Sequence, residues 1–169
     1  MATANTIRWY RSPIDKERLK ELTKRSDAKG LVHAISFVLI YLTTNGITLY
    51  FFFQQMWLPM GIAAYIHCMF HGFLGMGASV HELSHGTAFK TLRLNNFFFR
   101  LFAFLSWNSY LNFKESHRRH HMHTGFMHLD KEIKPEPMPF TLPQVLGWFT
   151  FDWAQFRRMI WTNLNHAFG

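Results

Sequence analysis

The sequence predicts an all-α membrane protein, a transmembrane helical hairpin followed by cytosolic and interfacial helices that carry histidine boxes. Three observations lead there. Two long uncharged apolar runs follow one another, the basic residues gather on one side of them, and histidines crowd just after the second run. The 169 residues include 19 phenylalanines, 6 tryptophans and 9 methionines, concentrated in the apolar runs. The formal net charge is +8. Because the basic residues flank the apolar runs instead of forming one helical stripe, a lipid-headgroup surface explains them better than nucleic acid does. Cys68 is the only cysteine, which excludes an internal disulfide and suits soluble parts that face a reducing compartment.

Residues 1–30 form a polar, mixed-charge segment. Ser12 and Pro13 read as N-cap and first residue of a short helix over 13–26, with Asp15 and Glu17 in its first turn. Ile14, Leu19 and Leu22 give it a narrow apolar stripe for a membrane surface. So long a polar lead does not resemble a secretory signal. Residues 31–53 carry no formal charge and are numerous enough to span a bilayer. Gln54-Gln55 and Trp57-Leu58-Pro59 read as a tight turn with an interfacial tryptophan, and 58–80 as the returning span. Gly61, Gly72, Gly75 and Gly77 read as small residues that let the two helices approach.

Residues 81–129 form the histidine-box region. An interfacial or re-entrant helix is expected over 94–113 rather than a third span, because Lys90 and Arg93 before it and Lys114 and Arg118 after it require the same side. Residues 130–143 read as an exposed loop rich in proline and charge, and 142–168 as another interfacial helix. Orientation follows from charge. Residues 1–30 hold eight Lys/Arg and the 54–60 turn holds none. The positive-inside rule therefore puts the N-terminus, and both histidine clusters, in the cytosol.

His81 and His85 stand four residues apart, which on a helix places them on one face about 6 Å apart along the axis. His117, His120 and His121 repeat that logic at i, i+3 and i+4. Five neutral imidazoles on two helices make a nitrogen-rich set that suits iron, zinc or copper rather than magnesium or calcium. One such pair arises readily by chance; two clusters on the same membrane face point to metal. His67 and His71 share the i, i+4 spacing but lie inside the second span, about 21 Å along the axis from His81 in a continuous helix. They stay outside the ligand set, with hydrogen bonding across the hairpin as their plainer role. His123 falls on another side of a helix from His121, and Glu82 points off the ligand face.

The boxes H-x-x-x-H (His81, His85) and H-x-x-H-H (His117, His120, His121) resemble the first two histidine boxes of the membrane fatty acid desaturase and hydroxylase superfamily. HELSHGTAF, HRRHHMHTG and Asp130 shortly beyond add to the resemblance, which covers roughly residues 31–135. It implies two non-haem irons held by these five histidines, dioxygen as co-substrate, and hydrogen abstraction from a lipid acyl chain. It also implies an electron donor such as a cytochrome b5-like protein or a ferredoxin. Desaturation and hydroxylation share the boxes, and the membrane can be a bacterial inner membrane or the endoplasmic reticulum. The family's third box is absent from these residues, so the expectation is an incomplete fragment that does not turn over alone. Phe97, Phe98, Phe99, Phe102 and Phe104 are candidates for contacting the acyl chain.

Two rivals use the same residues. His81-Glu82-x-x-His85 is also the zinc-protease pattern with Glu82 as general base, which leaves His117, His120 and His121 mostly unexplained. A metal transporter or chaperone would use the histidines as a buffer, but two helices cannot enclose a pathway.

Overall fold

A computed structural model describes residues 12–74, 76–126, 128–130, 132, 140–149 and 153–168. Among them there are eight α-helices and no strand: α1 (Lys16–Leu22), α2 (Asp27–Phe53), α3 (Trp57–Met69), α4 (Met76–Ser84), α5 (Leu92–Leu105), α6 (Tyr110–His123), α7 (Leu142–Phe149) and α8 (Trp153–Phe168). A π-helical turn, Phe70–Leu74, joins α3 to α4. Most of the proline-rich loop expected over 130–143 lies outside the described residues.

Helix α1 starts later than its sequence suggests. Asp15, not Ser12, is the N-cap, and its Oδ1 accepts from the Arg18 amide at 2.8 Å. Helix α2 begins at the Ser26 cap, and Gln55 at φ 55° makes the tight turn after it. Helix α2 and the stretch Trp57–Ser84 are long and apolar enough to cross a membrane. They pack on each other and leave Leu39, Leu42, Ile47, Leu49, Leu58, Ile62 and Ile66 exposed. An apolar exterior of this extent on a helical pair suits lipid rather than water. The fold is that of an all-α membrane protein.

The glycines serve differently from the expectation. A Cβ built on Gly61 or Gly72 meets nothing within 4 Å, so neither mediates close helix approach. The close approach is at Gly30, where a Cβ would come within 2.7 Å of the Phe89 ring and 2.8 Å of the Ala88 carbonyl. Beside it, Asp27 accepts from the Thr91 amide at 2.8 Å and its hydroxyl at 2.7 Å, which ties the start of α2 to the start of α5.

The core lies under the first histidine box: Ala34, Val80, Leu83, Phe89, Phe98, Phe99, Phe102 and Ala103. Phe89 and Phe98 stack at 5.3 Å, and buried Asn95 donates to the Leu83 carbonyl at 2.8 Å. Of the phenylalanines expected near an acyl chain, Phe98, Phe99 and Phe102 belong to this core, whereas Phe97 and Phe104 are exposed. In place of one helix over 94–113 there are two. Trp107, at φ 57°, breaks the run, the Asn108 amide bonds back to Ala103, and Ser109 caps α6. The last stretch likewise holds two helices, α7 and α8.

Candidate metal centre

Helices α4 and α6 pack on each other, and both pack on α5. That arrangement aims the two boxes at one point. His81 on α4 and His85 just past its end face His117 and His121 on α6. The His81 and His117 ring centroids are 4.4 Å apart, and those of His85 and His121 are 4.8 Å apart. One nitrogen from each of His81, His85, His117 and His121 lies within 4.8 Å of all the others. The Nε2 atom of His117 is 3.0 Å from that of His121 and 3.3 Å from that of His85. The arginines inside the second box turn outward onto Glu115, at 2.9 Å from Arg118 and 2.8 Å from Arg119, and hold its carboxyl at about 2.

Carboxylates set the rings from behind. His117 is buried, and its Nδ1–H donates to Glu132 at 3.0 Å; the Ser116 hydroxyl donates to the same carboxylate at 2.6 Å. The proton is thus on Nδ1, and Nε2 turns its lone pair toward His85 and His121. His81 Nδ1 likewise faces Glu82 at 3.0 Å. His120 stands outside the group of four. Its Nδ1 donates to Asp130 at 2.8 Å, and that carboxylate side chain is fully buried. The Glu132 amide bonds to Asp130 at 3.0 Å, so the two acids belong to one turn.

Burial, and then His117 and His121, hold His85 below its ordinary value; burial, and then His117 and His120, do the same for His121. Both rings favour the neutral, ligating form. Burial pushes Glu132 up, but hydrogen bonds from Ser116 and His117 outweigh it and keep the carboxyl low. Four converging ring nitrogens, with a carboxylate behind Nδ1 of His81 and of His117, are a donor set that fits a transition metal such as iron.

The remaining histidines lie elsewhere. His67 Nδ1 is 2.8 Å from the Thr44 hydroxyl across the hairpin, and His71 Nε2 donates to the Leu105 carbonyl at 3.0 Å. The buried Nδ1 of His123 has no hydrogen-bond partner among the described residues. Glu132 was not foreseen as a partner of His117, because it follows fifteen positions later in a stretch that reads as loop. A cavity of about 510 Å³ opens beside the cluster, lined by Ser84, His85, His117, His121 and Met122 with Lys114 and Arg118.

A family model described as fatty acid desaturase matches residues 55–168, which include both histidine boxes. The chain belongs to the fatty acid desaturase family. No curated protein and no solved structure matches it. Family membership carries a desaturase-type oxidoreductase function, and the four converging rings lie wholly inside the matched region.

Proposed function

We propose that the chain acts in a membrane-bound fatty acid desaturase that uses a histidine-liganded diiron centre and dioxygen to place a double bond in a lipid acyl chain. One observation carries the reading: His81, His85, His117 and His121 converge within the family-matched region. In this reading His81, His85, His117, His120 and His121 are the ligands contributed here, and further ligands beyond these five complete a two-iron site. The chemistry two non-haem irons supply when bound is activation of dioxygen for removal of hydrogen from an unactivated methylene. The acyl chain loses two hydrogens, and dioxygen is reduced to two waters with two electrons, delivered one at a time by a cytochrome b5-like or ferredoxin donor, and two protons from water.

The residues of the chain bind and orient. Glu132 and Asp130 keep the protons of His117 and His120 on Nδ1, so that each Nε2 stays a lone-pair donor. The basic N-terminal segment keeps the boxes on the cytosolic side of the membrane. The zinc-protease reading has less support, because Glu82 is turned onto His81 Nδ1 and two further histidines enter the same cluster.

The test expresses the protein in a host membrane together with the further ligands the two-iron site needs, with and without His117→Ala, and measures metal content and cellular fatty acids by mass spectrometry. Iron and a new double bond, lost together in the variant, are expected. A single zinc with peptidase activity that Glu82→Gln abolishes would refute the desaturase reading.

A further inference from the structure

Helix α4 has two working faces. His81 looks toward α6, whereas Ala78, Ser79, Glu82 and Leu83 line a separate cavity of about 690 Å³. The opposite wall is the turn between α1 and α2 together with the first turns of α2. Phe37, Phe89 and Phe102 make the space apolar, and Lys24, Arg25 and Lys29 border it. Glu82 is the one acid lining it, and its Oε1 is engaged by His81. Arg25 is engaged too, donating to the Gly86 carbonyl at 3.0 Å. Lys24 and Lys29 make no ion pair among the described residues. Within the cavity Ser79 is only 7% exposed, and its hydroxyl has no hydrogen-bond partner among the described residues. A buried, unpartnered hydroxyl in a cavity wall asks for a ligand oxygen.

We propose that this cavity holds an anionic phospholipid of the surrounding leaflet as a resident partner. Its phosphate sits on Lys24 and Lys29, an ester oxygen meets the Ser79 hydroxyl, and acyl carbons lie on Phe37, Phe89 and Phe102. Three features select that occupant. The cavity is at the N-terminal end of a helix long enough to cross a membrane, where headgroups lie. Paired free cations beside an apolar wall complement an amphiphile with a negative head, and neither an uncharged lipid nor a bare anion uses both parts. The volume, in the range of small-molecule sites, takes the headgroup, the glycerol and the first acyl carbons, with the rest of the chains left in the bilayer. None of the four clustered histidines lines the cavity, so the lipid is not the molecule being oxidised. The inference goes beyond the desaturase reading and holds whatever reaction the metal centre performs.

The test uses the whole protein in nanodiscs of phosphatidylcholine with a minor share of phosphatidylglycerol. Lipids retained after release into detergent are identified by native mass spectrometry. Wild type is expected to keep phosphatidylglycerol in preference to phosphatidylcholine. The double variant Lys24→Ala/Lys29→Ala is expected to keep roughly tenfold less, with an unchanged far-ultraviolet circular dichroism spectrum. A second measurement needs no variant: phosphatidylglycerol raises the melting temperature of wild type, and phosphatidylcholine or inorganic phosphate does not. Equal retention of both lipids, undiminished retention in the double variant, or equal stabilisation by inorganic phosphate overturns the proposal. Displacement of the bound lipid by an acyl thioester also overturns it, because the cavity would then belong to the substrate.

Discussion

Asp130 accepts a hydrogen bond from His120 Nδ1 at 2.8 Å while its own side chain is fully buried. A carboxylate is taken out of water only where its partners are fixed, so this pair anchors the end of α6 to the turn that follows it. It also leaves the His120 lone pair on Nε2. Asp130→Asn keeps the shape but loses the charge behind the ring. If His120 is a ligand, iron affinity falls roughly 10- to 100-fold, as for other such partners of ligating histidines. Chelator competition measures it, and an affinity equal to wild type removes His120 from the ligand set.

His117 is the hub of the group of four, within 3.3 Å of both His85 and His121 and buried against Glu132. Its loss separates nitrogens that no other ring bridges at that distance. His117→Ala is expected to abolish iron retention, and Glu132→Gln to weaken it, in metal analysis of purified protein. Full iron content in His117→Ala would show that the ion sits elsewhere.

The boxes themselves are legible because imidazoles that converge on one point from a helix need a helical spacing, which sequence displays directly. Spacing alone cannot divide His120 from His117 and His121, since i, i+3 and i+4 share a face. The division is made by rotation of α6 against α4 and by the Asp130 turn, both of them tertiary. The break at Trp107 is hidden for a related reason. The flanking runs are equally apolar, and only the left-handed backbone at that one residue splits them. The glycines of the second span misled because small residues have several uses, and their packing partners decide among them.

The pH response of the metal-free protein follows from His85 and His121, whose folded values lie below the ordinary 6.5. As pH falls through 6.5, the unfolded chain takes up protons that these rings resist in the fold, so stability drops. The melting temperature of chelator-treated protein is expected to decline from neutral pH downward through that point. Iron-loaded protein should decline less, because ligated nitrogens are not available to protons. Parallel curves for the two forms would count against ligation by these rings.

Asn95 is a polar residue at 1% exposure among the buried phenylalanines of α5, and its amide holds the Leu83 carbonyl at 2.8 Å, two residues before His85. That carbonyl, among the last of α4, also accepts from the Gly86 amide at 3.0 Å, so two donors together close the helix end. Asn95→Leu removes that buried hydrogen bond, a cost of about 0.5–1.5 kcal/mol. Thermal unfolding should register the loss, and iron retention should fall with it because the first box hangs on this helix end. Wild-type stability in Asn95→Leu would mean that the Gly86 amide alone satisfies the carbonyl.

The π-helical turn at Phe70–Leu74 decides where the first box points. In an unbroken α-helix the eighteen steps from His67 to His85 make five full turns, so all four histidines of this stretch would share one face, at about 100° per residue. A π-turn accommodates one extra residue and swings everything after it by about that angle. His67 and His71 accordingly meet Thr44 and Leu105, while His81 and His85 meet α6. Gly77 is what permits the turn, since a Cβ there would come within 2.6 Å of the Gly72 carbonyl, which is backbone and cannot step aside. Gly77→Ala is therefore expected to push this segment back to α-helical register and rotate His81 and His85 away from His117. Helical content by circular dichroism should be unchanged while iron retention is lost. An alanine variant that keeps both would show that the helix can relieve the contact without giving up the turn.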